Sequence, residues 1–384
     1  MVHTATLTYF TESKDGLYNG FINTAGTQWN PTLKKYYNVR LRENGITLWA
    51  YKMPRPGRTL YILMMRINFK RVIEQQNRIA VMTELDKEAV ADKCNELLAG
   101  LMPELPAFKE WKTNRIDYCV NVRTPYSAKY IKLMQKSRIP SRMKIPANEQ
   151  RNRNHRKGSC YLISERCDKR TGYKGSYTIN FYDKYQELKH QQKKNPLITD
   201  ELVEQGRGIL RLEVQCHKPK TEYLKRKYGF ENKSIINYLQ PTIGYEIIEK
   251  AIYSICGASD FHRLKVAKQM VDSLNCTQKK KERLKELIAS ISNSTIENIK
   301  ESYMTEHEIT STTFKEYVRF LDKNNINVLT LSDNVSLPGK STNDGLESVW
   351  SLFNTAYINE MEDDNYSILL DDDLDMALLE DDEV

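Results

Sequence analysis

Three strand-like segments between residues 158 and 217 carry the side chains that could do chemistry. Tyr161 lies in the first segment, Asp183 and Lys184 end the second, and Glu213 lies inside the third. A phenol is a nucleophile that can form a covalent intermediate. Carboxylates are the hard oxygen ligands that Mg²⁺ and Mn²⁺ prefer. These residue types together indicate metal-assisted transfer of a phosphodiester to a tyrosine.

An arginine two residues before an acid occurs on two segments with strand alternation. Successive side chains of a strand point to opposite faces, so Arg115 and Asp117 share one face, together with Asn121. Arg211 and Glu213 share one face of the later segment in the same way. If the two strands are neighbours, two carboxylates and two guanidinium groups converge on one sheet surface.

This surface would suit a scissile phosphate. A divalent metal held by Asp117 and Glu213 would polarise the phosphate, and the arginine forks would hold its non-bridging oxygens. Tyr161 would attack phosphorus and leave a phosphotyrosine and a free 3′ hydroxyl. A nearby metal or Lys184 would lower the pKa of the phenol, which is ordinarily about 10.

Each of these residues also has a structural interpretation. An Arg–Asp pair on the wet face of a sheet is usually a surface ion pair of about 0–1 kcal/mol. A strand tyrosine usually packs against its neighbours, and Asp183 is a good N-cap for a helix that begins near Lys184. Other tyrosines near the site compete with Tyr161 for the role of nucleophile, namely Tyr173, Tyr177 and Tyr182.

Several function classes lack their motifs in this chain. There is no His-x-His pair, no Gly-rich phosphate loop, no GxSxG and no HExxH, which disfavours histidine-ligated nickases and the corresponding ATPases and hydrolases. Seven cysteines without a CxxC spacing favour reduced thiols over disulfides or zinc. The sequence shows no apolar run of roughly 18 residues and no signal peptide. A cytoplasmic protein without a membrane partner is therefore expected.

Positive charge is concentrated in the first 340 residues. The net charge is +8, but 14 Asp or Glu and no Lys or Arg follow Lys340, so the part up to Lys340 carries +22. Residues 129–157 alone hold ten Lys or Arg and one acid, Glu149. Such a body attracts polyphosphate. The loop predicted over residues 137–157 is either a phosphate-tracking arm or a solvated, mobile loop.

The elements that must position these residues form an α+β pattern. The order of elements predicts one antiparallel sheet with helices on one face, in a domain over residues 1–220. Ser127 is the expected cap of a short helix. Alternation predicts strands at 37–52 (a hairpin around an Asn-Gly pair), 60–73, 114–123, 159–166, 176–183 and 208–217, and helical periodicity predicts helices at 85–101, 127–136 and 185–194.

The remainder of the chain divides into a helical part and a tail. Residues 221–331 predict a helical DNA-binding domain. A helix over 312–324 followed by a strand over 325–331 suggests a winged helix, and a plain helical bundle remains the alternative. Residues 332–384 are expected to be a linker and an acidic, disordered tail. The tail would recruit a host protein or occupy the basic groove.

The motifs resemble those of tyrosine-dependent rolling-circle replication initiators of plasmids and filamentous-type phages, in particular initiators without paired histidines. The matching stretches are 160–165, 179–184, 211–214 and the earlier motif at 115–117. The likeness covers roughly residues 110–220. By this resemblance the catalytic residues are Tyr161, Lys184, Arg211 and Arg115, and the metal ligands are Asp117, Glu213 and, as a third, Asp183.

Two departures from the family pattern affect the nucleophile. Ile163 stands where the family has a glycine after the tyrosine, and an insertion at 168–175 lengthens the following hairpin. The sequence therefore leaves open whether Tyr161 or one of the three other tyrosines is the nucleophile. A further alternative is an RNA-binding surface, because Tyr177, Ile179 and Phe181 share one strand face, although such a face is more often core.

The resemblance implies a DNA replication initiator that nicks and religates one strand at a rolling-circle origin through a phosphotyrosine. The implied cofactor is Mg²⁺ or Mn²⁺. The implied partners are single-stranded or hairpin origin DNA, a host helicase and a host polymerase, and the sequence leaves a homodimer open. The competing interpretation is a non-catalytic, sequence-specific DNA-binding regulator of a plasmid or phage, in which both arginine–acid motifs are structural.

Overall fold

A large antiparallel sheet organises the protein. The computed structural model describes residues 1–11, 14–77, 79–146, 158–165, 167–168 and 173–362. The strands are β1 (Val2–Thr11), β2 (Thr27–Asn30), β3 (Lys35–Asn38), β4 (Ile46–Arg55), β5 (Arg58–Asn68), β6 (Lys112–Arg123), β7 (Met143–Lys144), β8 (Ser159–Ser164), β9 (Cys167–Asp168), β10 (Tyr173–Lys174), β11 (Tyr177–Asp183) and β12 (Ile209–Cys216).

Ten of these strands form one sheet in the order β2-β3-β4-β5-β1-β6-β12-β11-β8-β7. Each neighbouring pair is antiparallel, and β9 pairs separately with β10. The expected α+β class with an antiparallel sheet is confirmed. The four strands that carry the candidate residues are adjacent in the order β6-β12-β11-β8, which is what the proposed convergence needs.

Helices follow and flank the sheet. They are α1 (Asn19–Asn23), α2 (Phe69–Ile73), α3 (Asp86–Leu101), α4 (Ser127–Lys136), α5 (Lys184–Gln192), α6 (Asp200–Gln205), α7 (Lys218–Lys227), α8 (Ile235–Tyr238), α9 (Pro241–Cys256), α10 (Leu264–Ser273), α11 (Gln278–Ser292), α12 (Ile296–Glu306), α13 (Ser311–Lys323) and α14 (Val349–Glu362). None of the helices in the described ranges has both the length and the apolar character that a membrane crossing requires.

Strand alternation gives the sheet an apolar face, which we call the inner face. It is fully buried at the centre of the sheet, where β1, β5, β6, β12 and β11 contribute Leu7, Met65, Val120, Leu212 and Phe181. α9 and α14 pack against β6 on this side. One continuous core joins the inner face to the C-terminal helices.

The opposite side, which we call the outer face, carries Asp117 and Glu213. Near Arg211 it is covered by α5, α6 and the backbone around Ile79. Leu188 and Val203 from those helices form a second, small apolar cluster with Ile79, and the Ile79 carbonyl accepts a hydrogen bond from Arg211. The expectation that helices cover one face only is therefore wrong at this end. The reason is that α5 begins directly where β11 ends.

The C-terminal region differs from its prediction in two places. Residues 325–331, expected to be a strand, form only an isolated bridge between Arg263 and Leu331. In the part of the chain that the structure describes, no hairpin wing follows α13. The strand prediction failed because Ile326, Val328 and Leu329 are buried among helices, and burial alone gives the same apolar run.

The second difference is that the expected linker and tail contain an ordered segment. Arg263 holds the loop after residue 332 by donating to the carbonyls of Asp333, Val335 and Asp344. α14 then returns to the core, where Phe353 is fully buried. Residues 363–384 of the predicted tail and residues 147–157 of the predicted basic arm lie outside the described residues.

Candidate active site on the outer sheet face

Strand register places the nucleophile candidate and one acid in a single row. Tyr161 pairs with Asn180, Asn180 pairs with Glu213, and Glu213 pairs with Cys119. Paired residues in an antiparallel sheet point to the same face. Neighbouring strands lie about 4.8 Å apart, so the Cα atoms of Tyr161 and Glu213 are about 10 Å apart.

Asp117 lies on the same face in the adjacent row, where it pairs with Gln215. Its carboxylate is almost fully buried and accepts a two-pronged hydrogen bond from Arg115, at 2.7 Å from Nε and 2.8 Å from Nη2. Thr4 Oγ1 donates to the same carboxylate. Both oxygens of Asp117 are therefore engaged, and its charge is balanced by the guanidinium.

Glu213 is the second buried carboxylate of the pair. Its Oε1 accepts a hydrogen bond from Gln215 at 2.8 Å, and its Oε2 accepts one from the Tyr182 hydroxyl at 3.2 Å. Burial raises the pKa of Glu213, and the charge of Asp117 raises it further. Burial and the like charge of Asp117 thus both disfavour the ionised form of Glu213.

Tyr161 is half-buried on the outer face. Its phenol is one of the groups that raise the pKa of Arg115. The Arg115 side chain is 23% exposed, so it is the one arginine of the pair that both neighbours the phenol and reaches solvent. Tyr161, Arg115, Asp117 and Glu213 thus form one group.

Arg211 is on the correct face but has no exposed surface. Its Nε donates to Asn121 Oδ1 at 2.8 Å, and Nη2 donates to the carbonyl of Ile79. Asn121 also donates to that carbonyl, at 2.8 Å. A buried guanidinium of this kind holds the covering loop in place and adds positive charge beneath the site. We therefore assign Arg211 a positioning role rather than direct contact with a phosphate.

Lys184 begins α5 and turns toward the same group. Its ammonium donates to Glu187 at 2.8 Å and lies 5.9 Å from the centre of the Tyr182 ring. Burial, together with the charge of Arg211, lowers the pKa of Lys184 to about 8. Lys184 adds a cation to the site, but it is as buried as the carboxylates.

Asp183 does not join the two carboxylates. It pairs with Leu210, which places it on the inner face. Its Oδ1 accepts the backbone N–H of Gln186 at 3.1 Å, so it is the N-cap of α5. Its Oδ2 accepts from the Ser127 hydroxyl at 2.6 Å. The expected third metal ligand is thus a helix cap, because strand alternation puts residue 183 on the opposite side from Glu213.

Ser127 is also not the cap that the sequence suggested. It lies inside α4, and Tyr126 occupies the cap position without a side-chain hydrogen bond.

His3 is a site residue that the sequence reasoning missed. It lies at an irregularity of β1, where the register with β6 shifts between Val2 and Thr4. Its ring nitrogen Nδ1 is buried and has no hydrogen-bond partner among the residues that the structure describes. Burial lowers the pKa of His3 well below its ordinary value, and four cations lower it further, namely Arg211, Lys184, Arg66 and Arg115. The alternation of Thr4, Thr6 and Thr8 with apolar residues was the only signal that this strand shares the outer face.

The rival tyrosines are less suited to nucleophilic attack. Tyr182 is buried, and burial together with Glu213 raises its pKa well above the ordinary value. Tyr177 lies at the edge of the inner face. Tyr173 lies on β10, which belongs to the separate two-stranded sheet. Ile179 and Phe181 are fully buried in the core, so the suggested aromatic RNA-binding face of β11 is wrong.

The carboxylate pair is compatible with Mg²⁺ but does not form a closed metal cage. Across the described ranges, no group of three or more His, Cys, Asp and Glu lies close enough to hold a metal ion. Mg²⁺ is commonly bound through one or two carboxylates, with waters and substrate phosphates as the remaining ligands. Asp117 and Glu213 fit that pattern, provided that one oxygen of Asp117 gives up its hydrogen bond from Arg115 and binds the metal instead.

Comparison with known proteins returns no match among protein-family models, curated proteins or solved structures. Any assignment of function therefore depends on the geometry of this site and on the motifs in the sequence.

Proposed function

We propose that this protein is a DNA replication initiator that nicks and rejoins one strand through a phosphotyrosine. The observation that supports this most is the position of Tyr161, on the same sheet face as Arg115, Asp117 and Glu213 although the four residues come from three different strands. Basic side chains also lie beside the acids, since the charges of Arg115 and Arg211 both act on the pKa of Glu213. A phosphodiester, which carries one negative charge, suits such a surface.

The chain's own residues account for most of the proposed chemistry. The Tyr161 oxygen would form a bond to phosphorus while the bond from phosphorus to the 3′ oxygen breaks. The proton that leaves the phenol is matched by the proton that the departing 3′ oxygen takes up to become a hydroxyl. Arg115, which is partly exposed beside the phenol, would hold a non-bridging oxygen. Mg²⁺ or Mn²⁺ bound by Asp117 and Glu213 would supply Lewis-acid polarisation of the phosphate.

The protein would act on origin DNA together with host replication proteins. The helices after residue 221 would bind origin DNA as a helical domain, and the 3′ hydroxyl would prime a host polymerase while a host helicase unwinds. The protein would act in the cytoplasm on a plasmid or phage-like origin, as a monomer or homodimer. The basic composition of the first 340 residues supports DNA as the partner.

A denaturing gel of the protein with origin oligonucleotides and Mn²⁺ tests the proposal. Wild-type protein should give a covalent protein–DNA band that needs no ATP, and Tyr161→Phe should give none. Tyr177→Phe is the matched control, since it removes a hydroxyl from the other face of a neighbouring strand and should leave the band intact. A covalent band from Tyr161→Phe protein would rule out this nucleophile.

The second candidate function is a DNA-binding regulator without catalysis. The full engagement of Asp117 by Arg115 and Thr4 favours it, because this arrangement is also what a structural ion pair requires. Footprints on DNA without any covalent band in Mg²⁺ or Mn²⁺ would support the regulator over the nickase.

A further inference from the structure

An aromatic stripe crosses the outer face of β3 and β4. Tyr37 and Trp49 are stacked, with ring centres 6.1 Å apart and planes 22° from parallel. The ammonium of Lys35 lies 5.0 Å from the centre of the Tyr51 ring and 6.0 Å from that of Trp49. We call Lys35, Tyr37, Trp49 and Tyr51 the aromatic stripe. It combines flat rings with a cation on a single surface.

The stripe is on the same side of the sheet as the candidate active site. Thr47 pairs with Arg66, Arg66 with Thr6, and Thr6 with Arg115. This row of paired residues crosses from β4 to β6 on the outer face. Trp49 follows Thr47 by two residues and therefore points the same way. Three strand spacings separate β4 from β6, which is about 14 Å.

One row of residues between the stripe and the site is at least partly accessible, since Thr47 and Thr6 are half-buried, whereas Met64 and Thr8 in the row beside it are buried. Arg66 is exposed, and it is close enough to His3 to lower the pKa of that histidine. Phe10, on β1, is 44% exposed. The rings of Tyr37, Trp49 and Tyr51 are each partly exposed, so a ligand can reach them.

Rings and cations in this arrangement suit one class of ligand. Single-stranded nucleic acid stacks its bases on aromatic side chains while basic residues follow its phosphates. A duplex cannot do this, because its bases are already stacked. The positive charge of Lys35 and Arg66 argues against a basic protein or an apolar peptide as the partner.

We propose that the aromatic stripe binds the single strand that flanks the scissile phosphate, and that Arg66 guides the strand from the stripe to Tyr161. This inference rests on the proposed function, because it supplies a path for the DNA that the site would cut. Trp49 and Tyr37 provide the stacking surface, and Lys35 and Arg66 contact the phosphates.

Binding of a fluorescein-labelled oligo-dT by full-length Tyr161→Phe protein tests the proposal without cleavage. An oligonucleotide of about 20 nucleotides exceeds the roughly 16 that single-strand grooves span. Trp49→Ala should weaken binding about tenfold, since each stacked base contributes about 1–3 kcal/mol. Trp49→Phe should retain most of the affinity, which separates stacking from misfolding. Arg66→Ala should make the slope of log K against log salt concentration less steep by about 0.7, which is the value for one phosphate contact on a single strand.

Trp29→Ala is the matched control. Trp29 is 49% exposed, but it packs on Tyr36, and Tyr36 pairs with the inner-face residue Ala50. It is therefore on the opposite side of the sheet, and its loss should leave oligo-dT binding unchanged.

The outcomes separate this inference from the proposed function. Equal affinity of the Trp49→Ala and Trp29→Ala proteins overturns the stripe as a binding surface, whatever the covalent-band assay shows. An equal loss of single-strand and duplex binding in Trp49→Ala also overturns it, as does tighter binding of oligo-U than of oligo-dT. Absence of a covalent band in wild-type protein overturns the nickase proposal alone.

Discussion

Replacing Lys184 by methionine should stabilise the protein at neutral pH. The lysine is 4% exposed, and its pKa is about 8 against an ordinary value of 10.5, mainly because of burial. One pKa unit corresponds to about 1.36 kcal/mol, so keeping this ammonium charged costs the folded state about 3 kcal/mol. Methionine has a similar length and no charge, so it should recover most of that free energy.

The effect has a defined pH dependence. Because the pKa of Lys184 is lower in the folded state, the folded protein binds fewer protons than the unfolded chain between about pH 8 and 10.5. The penalty in the wild type is complete below this window and is relieved as the pH rises through it. The advantage of the Lys184→Met protein should therefore shrink by about 1.4 kcal/mol per pH unit above pH 8.

Urea unfolding of both proteins at a series of pH values from 7 to 10 measures this difference directly. Lys189→Met is the control, since Lys189 is exposed on the same helix and its replacement should give a small difference that does not change with pH. If Lys184→Met is less stable at pH 7, or if its advantage is constant with pH, the ion pair with Glu187 outweighs burial and our account of Lys184 is wrong.

Three other substitutions test the site and its support. Glu213→Gln should raise the melting temperature at neutral pH by an amount equivalent to about 1 kcal/mol and should abolish the Mn²⁺-dependent covalent band. Since burial and Asp117 raise the pKa of Glu213, its ionisation costs stability as the pH rises through that pKa, and the gain should vanish in acid. Arg211→Met should lower the free energy of unfolding by about 1–3 kcal/mol, because Asn121 Oδ1 loses its donor and the Ile79 carbonyl keeps only the one from Asn121; unchanged urea midpoints would contradict this. Arg263→Ala should expose the loop at 333–344 to limited proteolysis, and a wild-type cleavage pattern would show that the loop is held by other contacts.

Much of the fold was readable from local patterns. β6, β8, β11 and β12 begin and end within about two residues of their predicted positions, because each alternates strongly between one polar and one apolar face. The same alternation placed Arg115, Asp117 and Glu213 on a common surface. The adjacency of β6 and β12, on which that surface depends, was assumed from the sequence and is confirmed by their register.

The errors have different causes, and one of them is that pairing over long distances is invisible in a short window. His3 reaches the site through a register shift between β1 and β6, more than a hundred residues apart in the chain. The helical character of α14 was masked by the acids that follow it. Asp183 was assigned to the metal from its motif, whereas its position in β11 gives it to the inner face.

The packing of α14 on β6 determines how the acidic end of the chain can be manipulated. α14 packs against the strand that bears Arg115 and Asp117, and its buried Phe353 and Tyr357 contact the ring of Tyr245 on α9. A chain shortened at residue 331 or 345 would lose this helix and would expose the inner face of β6 to water. Removal of the acidic end should therefore begin after Glu362. Conversely, a partner that binds the residues after Glu362 would be linked through α14 to β6, the strand that carries Asp117.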